Sequence, residues 1–326
     1  MNDHALLVVK ELRKYYKVKS SVWARRTTAL VKAVDSVSLT VKRGETFGLV
    51  GESGCGKTTF GRCVLRLEEP TSGQVRFDDV NVLTSQTQGM RQLRQKMQII
   101  FQDPYSSLDP RHTIGRIIGE PLRVHRSLPS PKIAQRIGEL LEVVGLHEES
   151  AHRYPHEFSG GQRQRVCIAR ALALNPELII ADEPVSALDV SIQAQILNLL
   201  VDLQERYGLT YIFISHDLSV VRHIADRVAV MYLGRIVESA PSGDLYAHPR
   251  HPYTHALLSA VPVANPQQKS DEVVLEGDLP SALDTPSGCS FHPRCPRKGE
   301  KCDRITPELQ TIVGEQVVAC HYPLVN

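Results

Sequence analysis

Short, almost wholly apolar runs closed by glycine, aspartate or proline punctuate the first 240 residues of the chain. "TFGLV" (Thr46–Val50) leads into "GESGCGKTT" (Gly51–Thr59) and then "FGRCVLRL", which predicts a strand, a glycine loop and a helix. "PTSG" turns the chain into "GQVRFDDVNV", a return to strand. From about Gln92 to Gly145 the spacing becomes helical. Ile133, Ile137, Leu140, Leu141 and Val144 share one face there, and Gly145 is the stop. "PELIIADEP" and "TYIFISHD" are apolar throughout, as parallel strands buried on both faces are. "VAVMYLGRIVES" predicts a hairpin turning at Gly234. Upstream of Thr46, short β-rich runs such as "SVSLTV" alternate with charged turns, and the basic residues from Lys10 to Arg26 are expected on a solvated face of the first hairpin. No internal repeat is visible.

The pattern changes after about Ala240. Proline becomes frequent, "ANPQQKSDE" is polar, and four of the seven cysteines lie near the end. A boundary is expected near residue 245, with residues 1–245 as one large domain and residues 246–326 as an appendage. The chain has 326 residues, 42% hydrophobic and 23% charged, which is ordinary for a globular protein. Its 38 basic and 36 acidic residues leave a net charge of +2, too balanced for a dedicated nucleic-acid binder. "MNDHALLVVKELRK" lacks the form of a signal peptide, and no apolar run approaches the roughly 20 residues needed to span a bilayer. The expectation is a cytosolic protein, soluble or peripheral to a membrane, without structural disulfides.

Candidate chemistry begins in the glycine loop. Gly51, Gly56, Lys57 and Thr58 match the G-x-x-x-x-G-K-[ST] pattern. Glycines let the backbone N–H groups of Ser53, Gly54, Cys55 and Gly56 curl round a phosphate, and the following helix points its N-terminus at the same anion. Lys57 reaches the terminal phosphates, and the hydroxyls of Thr58 and Thr59 serve Mg²⁺ and phosphate. "LIIADE" ends with Asp182 placed to hold Mg²⁺ and Glu183 placed to take a proton from water. Cys55 sits at a helix N-terminus, so its thiol pKa is expected to fall, with alkylation blocked by nucleotide.

A second phosphate grip stands far from the first. "FSGGQ" carries Ser159, Gly160, Gly161 and Gln162 ahead of a helix, and with it the sequence resembles the ATP-binding cassette ATPases over roughly residues 5 to 240. Gln102 in "IIFQDP", Asp189 in "SALD" and His216 in "IFISHD" look like that family's remaining motifs, in the expected order. Tyr16 stands where the family stacks an aromatic on adenine, with Tyr15 as the alternative. The resemblance implies an α/β fold: a RecA-like P-loop core, an antiparallel β subdomain, a helical subdomain at about 103–175, and a small irregular C-terminal extension. It implies ATP and Mg²⁺ as ligands, with Gln102 near the metal. It also implies head-to-tail dimers, in which the loop of one subunit and the signature of the other close on one ATP.

The tail narrows the resemblance. "HPRHPYTHALLSAVP" and "DEPVSALDVS" resemble the ATPase subunits of bacterial di- and oligopeptide importers, with nickel and glutathione importers as relatives. Such subunits work at the cytoplasmic face of the inner membrane with a second ATPase subunit, two permeases and an extracytoplasmic binding protein. Cys289, Cys295, Cys302 and Cys320 have the spacing C-x₅-C-x₆-C-x₁₇-C, without a zinc-ribbon knuckle. The resemblance implies a [4Fe–4S] cluster there. Zn²⁺ with His292 or His321 as substitute ligands, or four reduced thiols, are the other readings. A non-transport ATPase of the same family fits less well. Lys57 and Asp182 lie too close in sequence for the inserted coiled coil of DNA-repair members, and translation factors carry two cassettes per chain.

Overall fold

The computed structural model describes residues 5–19, 28–125, 128–260 and 280–325. The end of the basic stretch at Arg25 and Arg26, the "ANPQQKSDE" run and the last residues of "HPRHPYTHALLSAVP" lie outside the described residues. In chain order the strands are β1 (Ala5–Lys19), β2 (Thr28–Lys42), β3 (Thr46–Val50), β4 (Ser72–Phe77), β5 (Val80–Asn81), β6 (Met97–Ile100), β7 (Leu178–Asp182), β8 (Thr210–Ser215), β9 (Arg227–Tyr232), β10 (Arg235–Pro241), β11 (Gln310–Val313) and β12 (Gln316–Val318). The helices are α1 (Lys57–Val64), α2 (Thr87–Lys96), α3 (Pro104–Ser107), α4 (Ile114–Val124), α5 (Ser130–Val143), α6 (Gly160–Leu172), α7 (Val190–Tyr207), α8 (Leu218–Ile224), α9 (Ser242–Ala247) and α10 (Pro252–Ser259). Contacts divide the chain into two compact units.

One unit holds residues 42–45 and 84–214. Its three strands run parallel in the order β8-β7-β6, with Ile99 beside Ile180 and Ile180 beside Ile212. Every residue of β7 and β8 is buried, which explains why neither shows polar alternation. α5 starts after Pro129 and stops where Gly145 takes a left-handed φ of 73°, as its spacing predicts. Ile137, Leu140 and Leu141 of α5 and Ile114, Ile117 and Ile118 of α4 are all buried, each worth about 1.5–3 kcal/mol. One strand departs from expectation. β6 falls inside the stretch read as helical, because a four-residue apolar run has no period of its own. Its pairing with β7, more than seventy residues away, decides its conformation.

The other unit holds residues 5–41, 46–83 and 215–325. It contains an antiparallel sheet in the order β2-β1-β4-β5, in which Leu7 faces Phe77 and Val9 faces Val75. β1 and β2 are each 15 residues long, not short runs. Their charged residues interrupt the apolar pattern without ending the strand. The second sheet of this unit has the order β11-β12-β10-β9-β3, with β3 parallel to β9. Leu233 and Gly234 close the β9–β10 hairpin with φ of 43° and 81°, a tight turn needing two left-handed residues.

The C-terminal stretch joins this sheet: β12 pairs with β10, Glu238 opposite Val318. Glu238 is fully buried, and burial pushes its carboxyl pKa up. Its oxygens accept from the backbone N–H of Arg250 at 2.7 Å and of His251 at 2.8 Å, and from Gln316 Nε2 at 2.9 Å. These bonds fix the start of α10, where His251 caps the helix by accepting from Tyr253 N–H at Nδ1, 3.0 Å, and Pro252 takes the first helical position. Among the described residues no helix is long and apolar enough to cross a membrane.

Candidate nucleotide site

The phosphate loop leaves β3 and enters α1 as its sequence predicts. Gly51 and Gly56 are there for space. A Cβ on Gly51 would sit 2.2 Å from the carbonyl oxygen of Met231, and one on Gly56 (φ 110°) would sit 1.9 Å from that of Ala33. Lys57 is 4% exposed, and its Nζ donates to the carbonyls of Gly51 at 2.7 Å and Glu52 at 3.0 Å. The loop is thus held curled by the same ammonium that a phosphate would recruit. α1 carries no acidic side chain in its first turn and no side-chain cap, which suits its N-terminus to an anion. Ser53 and Gly54 are exposed at the loop tip, and Thr58 and Thr59 are half-buried on α1.

Tyr16 lies beside this loop. Its hydroxyl donates to Glu68 and is within hydrogen-bonding reach of Thr59, and Lys14 Nζ stands 4.8 Å from its ring centroid. Tyr15 is engaged elsewhere, donating to Asp35, which also pairs with Arg235 at 2.7 Å. Of the two tyrosines, Tyr16 is the one next to the phosphate helix.

Cys55 corrects its expectation. Its side chain is 1% exposed, and burial raises its thiol pKa more than the nearby Lys57 ammonium lowers it. The helix N-terminus does not make a reactive thiolate here. Iodoacetamide labelling followed by peptide mass mapping is therefore expected to leave Cys55 unmodified in the native protein both with and without ATP. ATP-sensitive labelling would restore the original expectation.

In the other unit, Asp182 ends β7 and is 2% exposed. Glu183 follows with φ of 47°, a left-handed conformation that costs a non-glycine residue of order 1–3 kcal/mol. The strain is held by Glu183 N–H donating to the carbonyl of Ile214 at 2.9 Å and by Ser186 Oγ donating to the Glu183 carbonyl at 3.1 Å. The carboxylate is aimed: Gln102 Nε2 donates to Glu183 Oε2 at 2.9 Å. Gln102 and Glu183, 81 positions apart, are thus brought into direct contact.

Ser159 is the N-cap of α6. Its Oγ accepts from Gln162 N–H at 3.3 Å, and Gln162 Oε1 accepts from Ser159 N–H at 3.0 Å. This reciprocal box is a structural reason for Ser-x-x-Gln, independent of any ligand. It also leaves the exposed start of a 13-residue helix facing outward. Gly161 has a packing reason, since a Cβ there would lie 2.5 Å from Ile192 Cγ2 of α7, while Gly160 has more room, 3.5 Å from Leu188. Asp189 is exposed and makes no side-chain cap on α7, and the neighbouring Val190 is 83% exposed. In the unit of the phosphate loop, His216 is exposed just past the end of β8, and Asp217 next to it caps α8 through Ser219 N–H at 2.8 Å.

The four late cysteines lie in one neighbourhood. Cys289 N–H donates to the carbonyl of Cys302 at 2.8 Å. Burial raises the thiol pKa of Cys289, Cys295 and Cys320, the last to about 11, and neighbouring cysteines of the group raise each further. Among the described residues no three His, Cys, Asp or Glu side chains form a group that could hold a metal ion. His292 Nδ1 and His321 Nε2 contact the carbonyls of Cys289 at 3.0 Å and Ile305 at 2.8 Å, which occupies one ring nitrogen of each.

Sequence reasoning missed three residues at the loop. Glu52, inside the loop, is bound by Arg294 and touched by Tyr253. Tyr253 was visible as part of "HPY", but nothing in the pattern says that its hydroxyl reaches residue 52. Arg294 carries no signal at all.

The chain matches the family model described as ABC transporter over residues 34–186. It matches the model described as oligopeptide/dipeptide transporter, C-terminal region, over residues 237–302. It is 51% identical over 323 residues to the oligopeptide transport ATP-binding protein AppF of Bacillus subtilis, covering 98% of each chain. It is 53% identical to the probable peptide ABC transporter ATP-binding protein y4tS of Sinorhizobium fredii, covering 98% of this chain and 90% of that one. Among solved structures, the dimeric post-hydrolysis state of the ATP-binding cassette MJ0796 bound to ADP and Pi aligns with a TM-score of 0.64 at 30% identity, over 72% of this chain and 98% of that one. The cbiO1 subunit of the cbiONQ transporter complex from Clostridium perfringens aligns with a TM-score of 0.63 at 30% identity, over 74% of this chain and 91% of that one.

Proposed function

Because this chain belongs to the ABC transporter family, we propose that it is the ATP-hydrolysing subunit of a bacterial importer of di- and oligopeptides. The observation that carries the reading is one chain holding both the cassette at residues 34–186 and the oligopeptide/dipeptide C-terminal region at residues 237–302. Residues 1–245 are the nucleotide-binding domain in this reading, and residues 246–326 the extension.

Phosphoryl transfer to water needs position and charge more than covalent chemistry. Lys57 and the N–H groups at the start of α1 neutralise phosphate oxygens, and Tyr16 stacks on adenine. Thr58, Asp182 and Gln102 serve Mg²⁺, which when bound supplies further neutralisation. Glu183, held by Gln102, takes the proton of the attacking water, and His216 orients the γ-phosphate. Ser159, Gly161 and the start of α6 grip the ATP of a second cassette. The exposed Asp189 and Val190 suit a surface that such a partner covers. Hydrolysis removes the γ-phosphate that joins the pair, so dimerisation follows the nucleotide state. The subunit works at the cytoplasmic face of the membrane with two permeases, a second ATPase subunit and an extracytoplasmic binding protein.

The four cysteines carry a metal cluster in this reading, [4Fe–4S] rather than Zn²⁺. What supports it is the donor set, four thiols in one short tail with Cys289 N–H donating to the Cys302 carbonyl at 2.8 Å, although among the described residues the side chains form no group that could hold a metal ion. Protein purified anaerobically is expected to contain about four iron atoms and matching acid-labile sulfide per chain, and Cys320→Ser to lose most of both. Zinc without iron, or no metal, would remove the cluster.

The transport reading is tested by uptake of labelled di- and oligopeptides into cells lacking the chain and complemented with it. Restored peptide uptake is expected. Restoration of nickel or glutathione uptake alone would redirect the solute.

A further inference from the structure

The C-terminal extension reaches back to the phosphate loop. Arg294 is 7% exposed on its side chain, and its two terminal nitrogens donate to the two carboxylate oxygens of Glu52 at 2.8 and 3.0 Å. This is a bidentate pair, the strong geometry for guanidinium and carboxylate. The hydroxyl of Tyr253 accepts from the backbone N–H of Glu52 at 3.0 Å and lies 3.4 Å from the same carboxylate. Glu52 is itself in the loop, directly after Gly51, and its carbonyl is one of the two that Lys57 holds.

Both contacting side chains are fixed from behind. Tyr253 and Phe291 pack with Tyr232 in one aromatic cluster, with ring centroids 4.7 to 5.3 Å apart, and all three rings are fully buried. Arg294 closes a 3-10 turn anchored by His292 N–H to the Cys289 carbonyl at 2.9 Å and Arg294 N–H to the Phe291 carbonyl at 3.0 Å. Cys289 and Cys295 bracket that turn, so the anchorage of Arg294 and the cysteine tail are one structural element.

The electrostatics give this contact a sign. A carboxylate carried on a phosphate-binding loop opposes the triphosphate that the loop must receive. Paired with Arg294, Glu52 presents little net charge; unpaired and only 27% exposed, it would repel the nucleotide. We propose that Arg294 and Tyr253 are positioning residues for the phosphate loop, a strap by which the C-terminal extension neutralises and pins Glu52 and so sets nucleotide affinity. The proposal rests on the reading that Gly51–Thr59 binds the phosphates of ATP.

The test is equilibrium binding of a fluorescent ATP analogue to the full-length protein and four variants, with KM and kcat measured in parallel. R294M is expected to weaken binding at least tenfold, with KM rising far more than kcat falls. E52Q/R294M is expected to return to within about threefold of the parent, because the uncompensated charge is gone. R294K, a point charge without the fork, should fall between. Y253F should lose a few-fold. R294M binding within twofold of the parent would overturn the proposal, as would a double variant no better than R294M, which is the pattern of simple structural damage. If R294M does not fold, R294K against E52Q/R294M decides by the same order. Failure of the parent itself to bind the analogue would instead overturn the nucleotide reading on which the strap depends.

Discussion

Glu183→Gln is expected to reduce steady-state ATP turnover by about 10²-fold or more while leaving ATP affinity within a few-fold of the parent. The substitution keeps the shape of the side chain and removes its basicity. It also keeps an oxygen for the hydrogen bond from Gln102, which reaches Glu183 Oε2 at 2.9 Å. The backbone of Glu183 is already committed to its left-handed φ of 47° by the Ile214 and Ser186 contacts, so no rearrangement is needed to accept glutamine. Phosphate release and nucleotide binding, measured on one preparation, separate the two effects. Turnover near the parent value would remove Glu183 from the role of base.

Lys57→Met fails differently. The side chain is 4% exposed, and methionine fills the same channel without the ammonium. Two bonds inside the loop are lost, to Gly51 and Glu52, together with the charge available to phosphate. Turnover is expected to fall about 10²–10³-fold, as when a positioned donor to developing charge is removed. ATP affinity is expected to fall at least tenfold as well. The contrast is the informative part: a base variant binds and does not turn over, whereas a loop-lysine variant does neither. Tight ATP binding by Lys57→Met would place the phosphate grip elsewhere.

The elements legible in the sequence were those whose pattern is local. β3, α1 and the loop between them follow from an apolar run and a glycine signature leading into a helix. β7 and β8 follow from apolar runs ending in acidic or polar residues, and the β9–β10 hairpin from β-rich runs that turn at Gly234. β6 was hidden because its conformation is imposed by β7. β1 and β2 were seen only as fragments, since their 15-residue length depends on pairing that tolerates charged positions.

The candidate site divides in the same way. Lys57, Asp182, Glu183, Gln102 and Ser159 could be named as candidates because each sits in a short motif with a chemical reason. Cys55 was misread because the helix N-terminus is visible in sequence and burial is not. The link from Arg294 to Glu52 spans 242 positions between residues that belong to no common pattern, and only the folded chain brings them together.

The most direct test of the transport assignment is the subunit composition of the complex that the chain forms in its own membrane. The tagged chain would be purified from gently solubilised membranes in the presence of ATP and its companions identified by mass spectrometry. Two multi-span permeases and a second ATPase subunit are the expected result, with the binding protein joining when peptide is present. A soluble homodimer without permeases, or ribosomal or DNA-repair companions, would contradict the transport assignment and leave the ATPase chemistry standing.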